Sequence, residues 1–409
     1  MVSQDSETPA DPVRQRQRRR ALLAFAATGA GAAVAAGMLA GLAVAFVQLS
    51  WPHQETPGEP EVGINFECNQ AEYLLLEDPA KGPAGYVTDD RPGRAEWCAE
   101  TLGTLLEETG TKHVRLSMEW PEVEPHEGAY DFRLLDALLS EAERHGAGVL
   151  LSIGLKGQRH PEFYLPAWVL DRANLEDGQD VATDPAVHDA GLRMVADVAR
   201  HAAESTAVEA WLADNEPYLP SPRAHNWVIG RTFVQEEVAA IRAADPRGRP
   251  VAINHGEHFV FDRRWEWSLE DADIVATSVY PFRNYQVAGL HFVVPILEIG
   301  PLAPNYAARA RETKERGKEF WITEMQAEPW ADGDIRQVSP GEPADDLTPE
   351  NFRKNMEYAR LSGASRVYLW GAEWWLYQQQ HYGDGQWLAL AREAIAGSGG
   401  TAGIAAARR

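Results

Sequence analysis

Eight short apolar, β-branched runs punctuate the chain: Val62–Phe66, His113–Ser117, Gly148–Ile153, Val208–Ala213, Pro250–Asn254, Ile274–Val279, Glu319–Thr323 and Arg366–Trp370. Runs of this length without strict alternation read as strands buried on both faces, as in a parallel sheet. Most gaps between them hold an amphipathic helical segment. Leu134, Leu135, Leu138, Leu139 and Ala142 share one helical face, with Asp136, Glu141 and Glu143 around it. Leu192, Val195, Val198 and Ala199 repeat the pattern before the fourth run. Strands alternating with helices imply βαβ units, and eight of them predict an α/β fold, a (β/α)8 TIM barrel with some long loops. A doubly wound sheet is the alternative. It wants a Gly-rich phosphate turn after the first strand, and Phe66-Glu67-Cys68-Asn69-Gln70 is not one.

A different pattern precedes the barrel. Ala21 to Leu49 is a run of 29 residues without a charge. A spanning helix needs ~20 apolar residues, and a signal-peptide core about 7–15. Arg14, Arg16, Arg18, Arg19 and Arg20 stand before the run, and no Lys or Arg directly follows it. The pattern predicts a single N-terminal transmembrane helix, with the N-terminus cytoplasmic and the rest outside the cell membrane. The alternative is a protein secreted after signal cleavage. The run is rich in Ala and Gly, Arg19-Arg20-Ala-Leu-Leu is similar to a twin-arginine export signal, and Ala43-Val44-Ala45 is a plausible cleavage site. The chain therefore divides into a basic N-terminus (1–20), a transmembrane helix or uncleaved signal anchor (21–49), a Pro-rich linker (50–60), the barrel (61–396) and a flexible Gly/Ala-rich tail (397–409).

Charge and cysteines narrow the function. The formal net charge is −23. Five arginines against three carboxylates leave the first fifty residues at +2, so the remainder carries −25. That acidity excludes the basic face a nucleic-acid partner requires. Two cysteines, Cys68 and Cys98, exclude a disulfide-built mini-fold or a Cys-based zinc cluster. Export permits them to pair; two separate buried thiols are the alternative.

In a barrel, chemistry sits where the strands end. The runs are followed in turn by Asn65, Glu67 and Asn69; by Arg115, Ser117, Glu119 and Trp120; by Lys156, Gln158, Arg159 and His160; and by Asp214, Asn215, Glu216 and Pro217. After the fifth to eighth come Asn254, His255, Glu257 and His258; Ser278, Tyr280 and Arg283; Glu324, Gln326 and Glu328; and Trp370, Glu373, Trp374 and Trp375. Such residues directly after buried runs describe a polar cup lined with carboxylates and indoles, not a solvated surface.

This constellation resembles the clan A retaining β-glycosidases. Trp211-Leu-Ala-Asp-Asn215-Glu216-Pro217 is similar to the clan's Asn-Glu-Pro signature, and Trp321-Ile-Thr-Glu324 to its nucleophile strand. Arg115-Leu-Ser-Met-Glu-Trp120-Pro and Glu127-Gly-Ala-Tyr130-Asp-Phe132 resemble the second-strand region of its β-galactosidase and β-glucosidase members. The resemblance runs from Val62 to about Leu388 and implies catalysis by Glu216 as acid/base and Glu324 as nucleophile. Chemistry agrees, because retention needs two carboxyl groups flanking the scissile bond. By the same resemblance Arg115 and Tyr280 hold the nucleophile, Asn215 meets the sugar 2-hydroxyl and Trp370 lies under the ring. His160, His255, Glu373 and Trp374 complete the expected substrate contacts. Pro217 is expected to hold Glu216 extended, and Trp265, Trp267, Trp330 and Trp375 to offer stacking faces. Trp97 and Trp321 are assigned to the core.

The expected activity is glycoside hydrolysis of β-linked oligosaccharides or polysaccharides by double displacement. A transglycosylase using the same glutamates and a non-catalytic carbohydrate-binding barrel are the alternatives. No cofactor is implied. Asn254-His255-Gly-Glu257-His258 is not H-E-x-x-H and lies in a loop, so no metal is expected. The membrane, through the N-terminal helix, is the other expected partner, and the oligomeric state is not read from the sequence.

Overall fold

The computed structural model of the chain describes residues 36–48, 50–76, 93–159, 161–256, 264–287, 290–300, 303–330, 334–340 and 346–398. His160, Glu257, His258, the basic N-terminus, the first half of the apolar run and the end of the tail lie outside them.

In chain order, the helices are α1 (36–48), α2 (Cys68–Leu75), α3 (Arg94–Thr109), α4 (Trp120–Val123), α5 (Arg133–His145), α6 (Ala167–Leu170) and α7 (Pro185–Ala202). They continue as α8 (Arg231–Ala244), α9 (Arg264–Asp271), α10 (Tyr306–Glu315), α11 (Pro349–Ser362), α12 (Ala372–Tyr382) and α13 (Gln386–Ser398). The strands are β1 (Glu61–Phe66), β2 (His113–Ser117), β3 (Gly148–Ile153), β4 (Val208–Ala213), β5 (Val251–His255), β6 (Ile274–Val279), β7 (Phe282–Val287), β8 (Leu290–Pro295), β9 (Glu319–Gln326) and β10 (Arg366–Trp370). Eight of them close an all-parallel barrel in the order β1-β10-β9-β6-β5-β4-β3-β2. The (β/α)8 expectation therefore holds, and the doubly wound alternative does not.

Alternation decides which side chains enter the barrel. Leu150, Ala210, Leu212, Ala252, Ile274, Ala276, Trp321 and Tyr368 fill its interior as one apolar cluster. Their neighbours on the strands pack outward into the helical layer, as with Val114, Leu116, Ile253 and Leu369. Gly63 makes room for this filling, because a Cβ there would stand 2.8 Å from the Tyr368 ring. On α5 the buried face is Leu135, Leu138, Leu139 and Ala142. Asp184 caps α7 by accepting from the amides of Ala186 and Val187.

Three strands depart from the sequence expectation, and β1 does so only by starting one residue early, at Glu61. β5 lies one residue later than expected, and β9 runs on to Gln326. β9 also bulges: Thr277 and Ser278 of β6 pair with Ile322 and Glu324, skipping Thr323. On the other side Val367 and Leu369 pair with Ile322 and Met325. The extra residue turns both Thr323 and Glu324 toward the barrel interior. An antiparallel hairpin, β7–β8, also follows β6, outside the eight-strand pattern.

Cys68 and Cys98 form a disulfide between α2 and α3. The 50–60 segment lies against the barrel: Trp51 is buried, and the Gly58 amide donates to the Arg360 carbonyl at 2.8 Å. Among the described residues no helix is long and apolar enough to cross a membrane.

Candidate active site

The cup at the C-terminal end of the barrel is built from inward-facing residues of consecutive strands. Arg115 enters from β2 and is fully buried. Its guanidinium donates to Glu324 Oε1 at 2.8 Å and to Asn215 Oδ1 at 2.7 Å. Tyr280, just past β6, donates its hydroxyl to Glu324 Oε2 at 2.6 Å. Both Glu324 carboxylate oxygens thus accept a strong hydrogen bond, one charge-assisted. Burial first, then the Glu324 charge, pushes the Tyr280 hydroxyl well above its ordinary range, so it stays a donor.

Glu216 sits in a tight turn after β4. Its φ is +45°, and that of Asp214 is +55°, so both lie in the left-handed region. The expected extended backbone at Glu216 is therefore corrected. Pro217 disfavours the right-handed helical region for the residue before it, and the left-handed region escapes the same clash. Hydrogen bonds hold the turn there. Asn254 Oδ1 accepts from the Glu216 amide at 2.7 Å, and the Lys156 ammonium donates to the carbonyls of Glu216 and Leu219, each at 3.0 Å. Asp214 Oδ1 in turn accepts from the Lys156 amide at 2.7 Å. Strain of this kind persists only where surrounding contacts over-determine it.

The Glu216 carboxyl is raised to about 7, first by removal from water and second by the Glu324 carboxylate, with Lys156 opposing. The two glutamates have different surroundings. Glu324 has a guanidinium and a phenol on its oxygens, and Glu216 has a neighbouring anion.

Asn215 Oδ1 accepts from both Arg115 and Asn254 Nδ2, the latter at 2.9 Å. Its amide orientation is fixed by these two donors. Asn65 and Asn254 were visible at strand ends but had no role assigned. The structure makes them the frame: Asn65 donates to the carbonyls of Thr323 and Leu369 at 3.0 and 3.2 Å, pinning the β9 bulge. Strand parity was the signal available for both, since Asn65, Arg115 and Asn254 alternate with outward apolar residues.

Trp370 faces into the cup, and its indole donates to Glu328 Oε1 at 2.8 Å. The Arg159 guanidinium lies 3.9 Å above its ring. Arg159 also pairs with Glu328 and with Glu373 Oε2, the latter at 3.2 Å. Glu373 Oε1 accepts from the Glu67 amide at 2.6 Å. Burial is the largest cause raising the carboxyls here, Glu67 to about 7 and Glu119 well above the ordinary range. Glu373 is raised for the same reason, against the pull of Arg159.

Other expected contacts lie elsewhere. His255 follows the outward parity of Ile253, and its ring meets Ser268 Oγ at 2.5 Å and packs 5.3 Å from Trp265. Trp374 is buried in the core against Trp387, with ring centroids 4.9 Å apart. Trp375 is buried too and donates to the Ala327 carbonyl at 2.6 Å. Both fall inside α12, where a helix turns them to the layer beneath the cup. Trp265 is buried in α9, and Trp267 packs on Tyr218 at 5.1 Å. Trp330 stays half-exposed at the rim, 5.1 Å from Tyr280. Trp321 is in the core, as expected, while Trp97 packs partly buried against it. No group of three or more His, Cys, Asp or Glu suited to a metal occurs among the described residues.

The barrel, with two glutamates at the ends of β4 and β9, has the architecture of a (β/α)8 glycosidase. The sequence profile of glycoside hydrolase family 42, described as β-galactosidase, matches residues 95–227. That stretch contains Arg115, Asn215 and Glu216. A β-galactosidase from Rahnella sp. R3 is similar in structure, with TM-score 0.54 and 15% identity, covering 88% of this chain and 57% of that one. An exo-β-1,4-mannosidase from Opitutaceae bacterium strain TAV5 gives TM-score 0.53 and 15% identity over 84% of this chain and 62% of that one. A GH5_18 protein from Streptomyces cattleya, solved with GlcNAc, gives TM-score 0.52 and 15% identity over 85% and 82%. The chain thus spans less than two thirds of the length of the first two. The family match and the shared barrel fit the clan A (β/α)8 glycosidases.

Proposed function

We propose that the protein is a retaining glycoside hydrolase acting on β-linked glycosides, exported and held at the outer face of the cell membrane by its N-terminal apolar run. The observation that carries the activity is the opposed setting of Glu216 and Glu324. Glu216 is the proton donor, because burial and a neighbouring carboxylate keep it protonated to about pH 7. Glu324 attacks the anomeric carbon and forms the glycosyl ester, while Glu216 protonates the departing oxygen. Glu216, now a carboxylate, then takes a proton from the water that hydrolyses the ester. Arg115 and Tyr280 hold Glu324 through both oxygens, so its approach angle is set before the substrate arrives. With Asn215 Oδ1 occupied by Arg115 and Asn254, its amide nitrogen is the group left to meet the sugar 2-hydroxyl.

The Cys68–Cys98 disulfide supports the exported location, since such bonds persist in oxidising compartments. The charge-free run from Ala21 to Leu49 behind five arginines supports the anchor.

Aryl β-glycosides, with the β-galactoside first, test the activity. Glu324→Gln abolishes turnover with the fold intact by circular dichroism. Glu216→Ala is rescued by azide, and the product is the β-glycosyl azide; an α-azide means inversion and removes the double-displacement mechanism.

A further inference from the structure

The chain joins the outer layer of the barrel between α10 and α11. Trp51 packs edge-on against Tyr306, the first residue of α10, with ring centroids 5.7 Å apart. Tyr306 lies beside Thr277 of β6 and feels the charge of Glu216. The Trp51 indole also donates to the Leu361 carbonyl in the last turn of α11 at 3.3 Å, the Gly58 amide meets the neighbouring Arg360 carbonyl, and the Glu61 amide meets the Ser365 carbonyl at 3.0 Å where β1 begins. Helix α1 therefore leaves from the side of the barrel, between α10 and α11.

Its last turn touches the segment after the β7–β8 hairpin. The Phe46 ring lies on Gly300, where a Cβ would fall 2.1 Å from a ring carbon. All 13 residues of α1 are uncharged and exposed, and the uncharged sequence continues back to Ala21. The hairpin presents Tyr285, Leu290 and Phe292 to the outside, with Leu290 71% exposed. The 16 residues from Phe282 to Leu297 contain no Asp or Glu, in a domain that otherwise carries a large acidic excess. Water disfavours an apolar, acid-poor hairpin next to an exposed apolar helix, whereas the interfacial layer of a bilayer favours it.

We propose that the hairpin β7–β8 docks on the lipid bilayer beside α1, so that the cup opens toward the membrane and takes β-linked sugars carried on membrane-bound molecules. The docking surface rests on the anchored reading above, and the substrate class rests on the glycosidase reading. Tyr280, which holds Glu324, precedes β7 by two residues, so the surface and the cup share one loop. A glycan whose aglycone is a lipid then reaches Glu216 without leaving the bilayer surface.

The test uses the full chain reconstituted in phosphatidylcholine–phosphatidylglycerol vesicles. A fluorophore is attached at Leu290→Cys, or at Lys112→Cys, which precedes β2 at the far end of the barrel. Nitroxide-bearing lipids quench the first and not the second. In a second arm, Leu290→Glu with Phe292→Glu lowers turnover of a vesicle-borne two-chain β-galactosyl lipid by on the order of tenfold, through loss of interfacial contact. Turnover of water-soluble nitrophenyl β-galactoside is unchanged. Equal quenching at the two sites overturns the docking surface. So does protection of the Leu290 site that follows protein concentration rather than lipid, which means a second copy covers the hairpin. Equal losses on both substrates overturn the membrane-bound substrate class. Inactivity of the wild type on both substrates and on the remaining aryl β-glycosides removes the glycosidase reading and leaves the quenching result standing.

Discussion

Glu216 holds its proton because it is withdrawn from water beside another carboxylate, and Lys156 limits how far that effect goes. An acid catalyst works only in its protonated form, so kcat/KM falls as pH rises through about 7, the value to which Glu216 is raised. Lys156 is a positioning residue with two separable effects. Its ammonium ties down the turn through the Glu216 and Leu219 carbonyls, and its charge favours the Glu216 carboxylate. Lys156→Met removes both. Glu216 then ionises at higher pH, the alkaline limb moves upward, and kcat falls roughly tenfold from looser aim. Lys156→Arg restores the limb while recovering only part of kcat, because a guanidinium does not reproduce the single-point clamp. A pH profile of Lys156→Met that overlays the wild type rules out the electrostatic part of this account. The placement of Glu216 and Glu324 at the cup was legible from their positions at strand ends. The left-handed turn at Glu216 was not, because Pro217 excludes one backbone region without choosing between the others.

At the scale of elements, the barrel strands were legible because each buried strand is a short β-branched run, and seven of the eight coincide with the expected runs at one or both ends. What escaped were departures from regularity. The β9 bulge delivers Glu324 into the cup beside Thr323, although strict alternation from Trp321 would turn Glu324 outward. Its cause lies in partners on other strands, such as Asn65 bonding the Thr323 carbonyl. Trp374 and Trp375 were misplaced for a related reason: they begin a helix directly after β10, and a 3.6-residue period points them into the core. Two predictions belong here. The disulfide ties α2 to α3 across a separation of 30 residues. Replacing both cysteines with serine costs about 3–4 kcal/mol in the chain-entropy model, read by denaturant unfolding of oxidised protein; an unchanged midpoint counts against the bond. Asp184→Ala removes the side-chain cap of α7, at a cost of about 1 kcal/mol, and leaves the pH profile of turnover untouched.

For the whole molecule, the net charge of −23 divides into a +2 terminal region and a −25 remainder. In the anchored reading proposed above the +2 region orients the apolar run, and the acidic part includes the cup and a solvated outer surface. The anchored reading makes a prediction at this scale. The protein sediments with membranes, and its intact mass includes the residues from Ala21 to Leu49. Recovery of a soluble species beginning after Ala45 selects signal cleavage instead.

The sequence by itself determined the barrel, the order of its strands along the chain and the placement of Glu216 and Glu324 at strand ends, because burial on both faces and polar strand ends are local patterns. Tertiary structure decided which of the polar residues act together. Arg115, Tyr280, Asn215 and Glu324 join one hydrogen-bonded set. His255 and Trp374 turn away from the cup. The pairing of Cys68 with Cys98, the placement of α1 beside the hairpin and the proton on Glu216 were decided there too. Each depends on what closure of the barrel brings within a few ångströms, and that proximity is not encoded in any one stretch of chain.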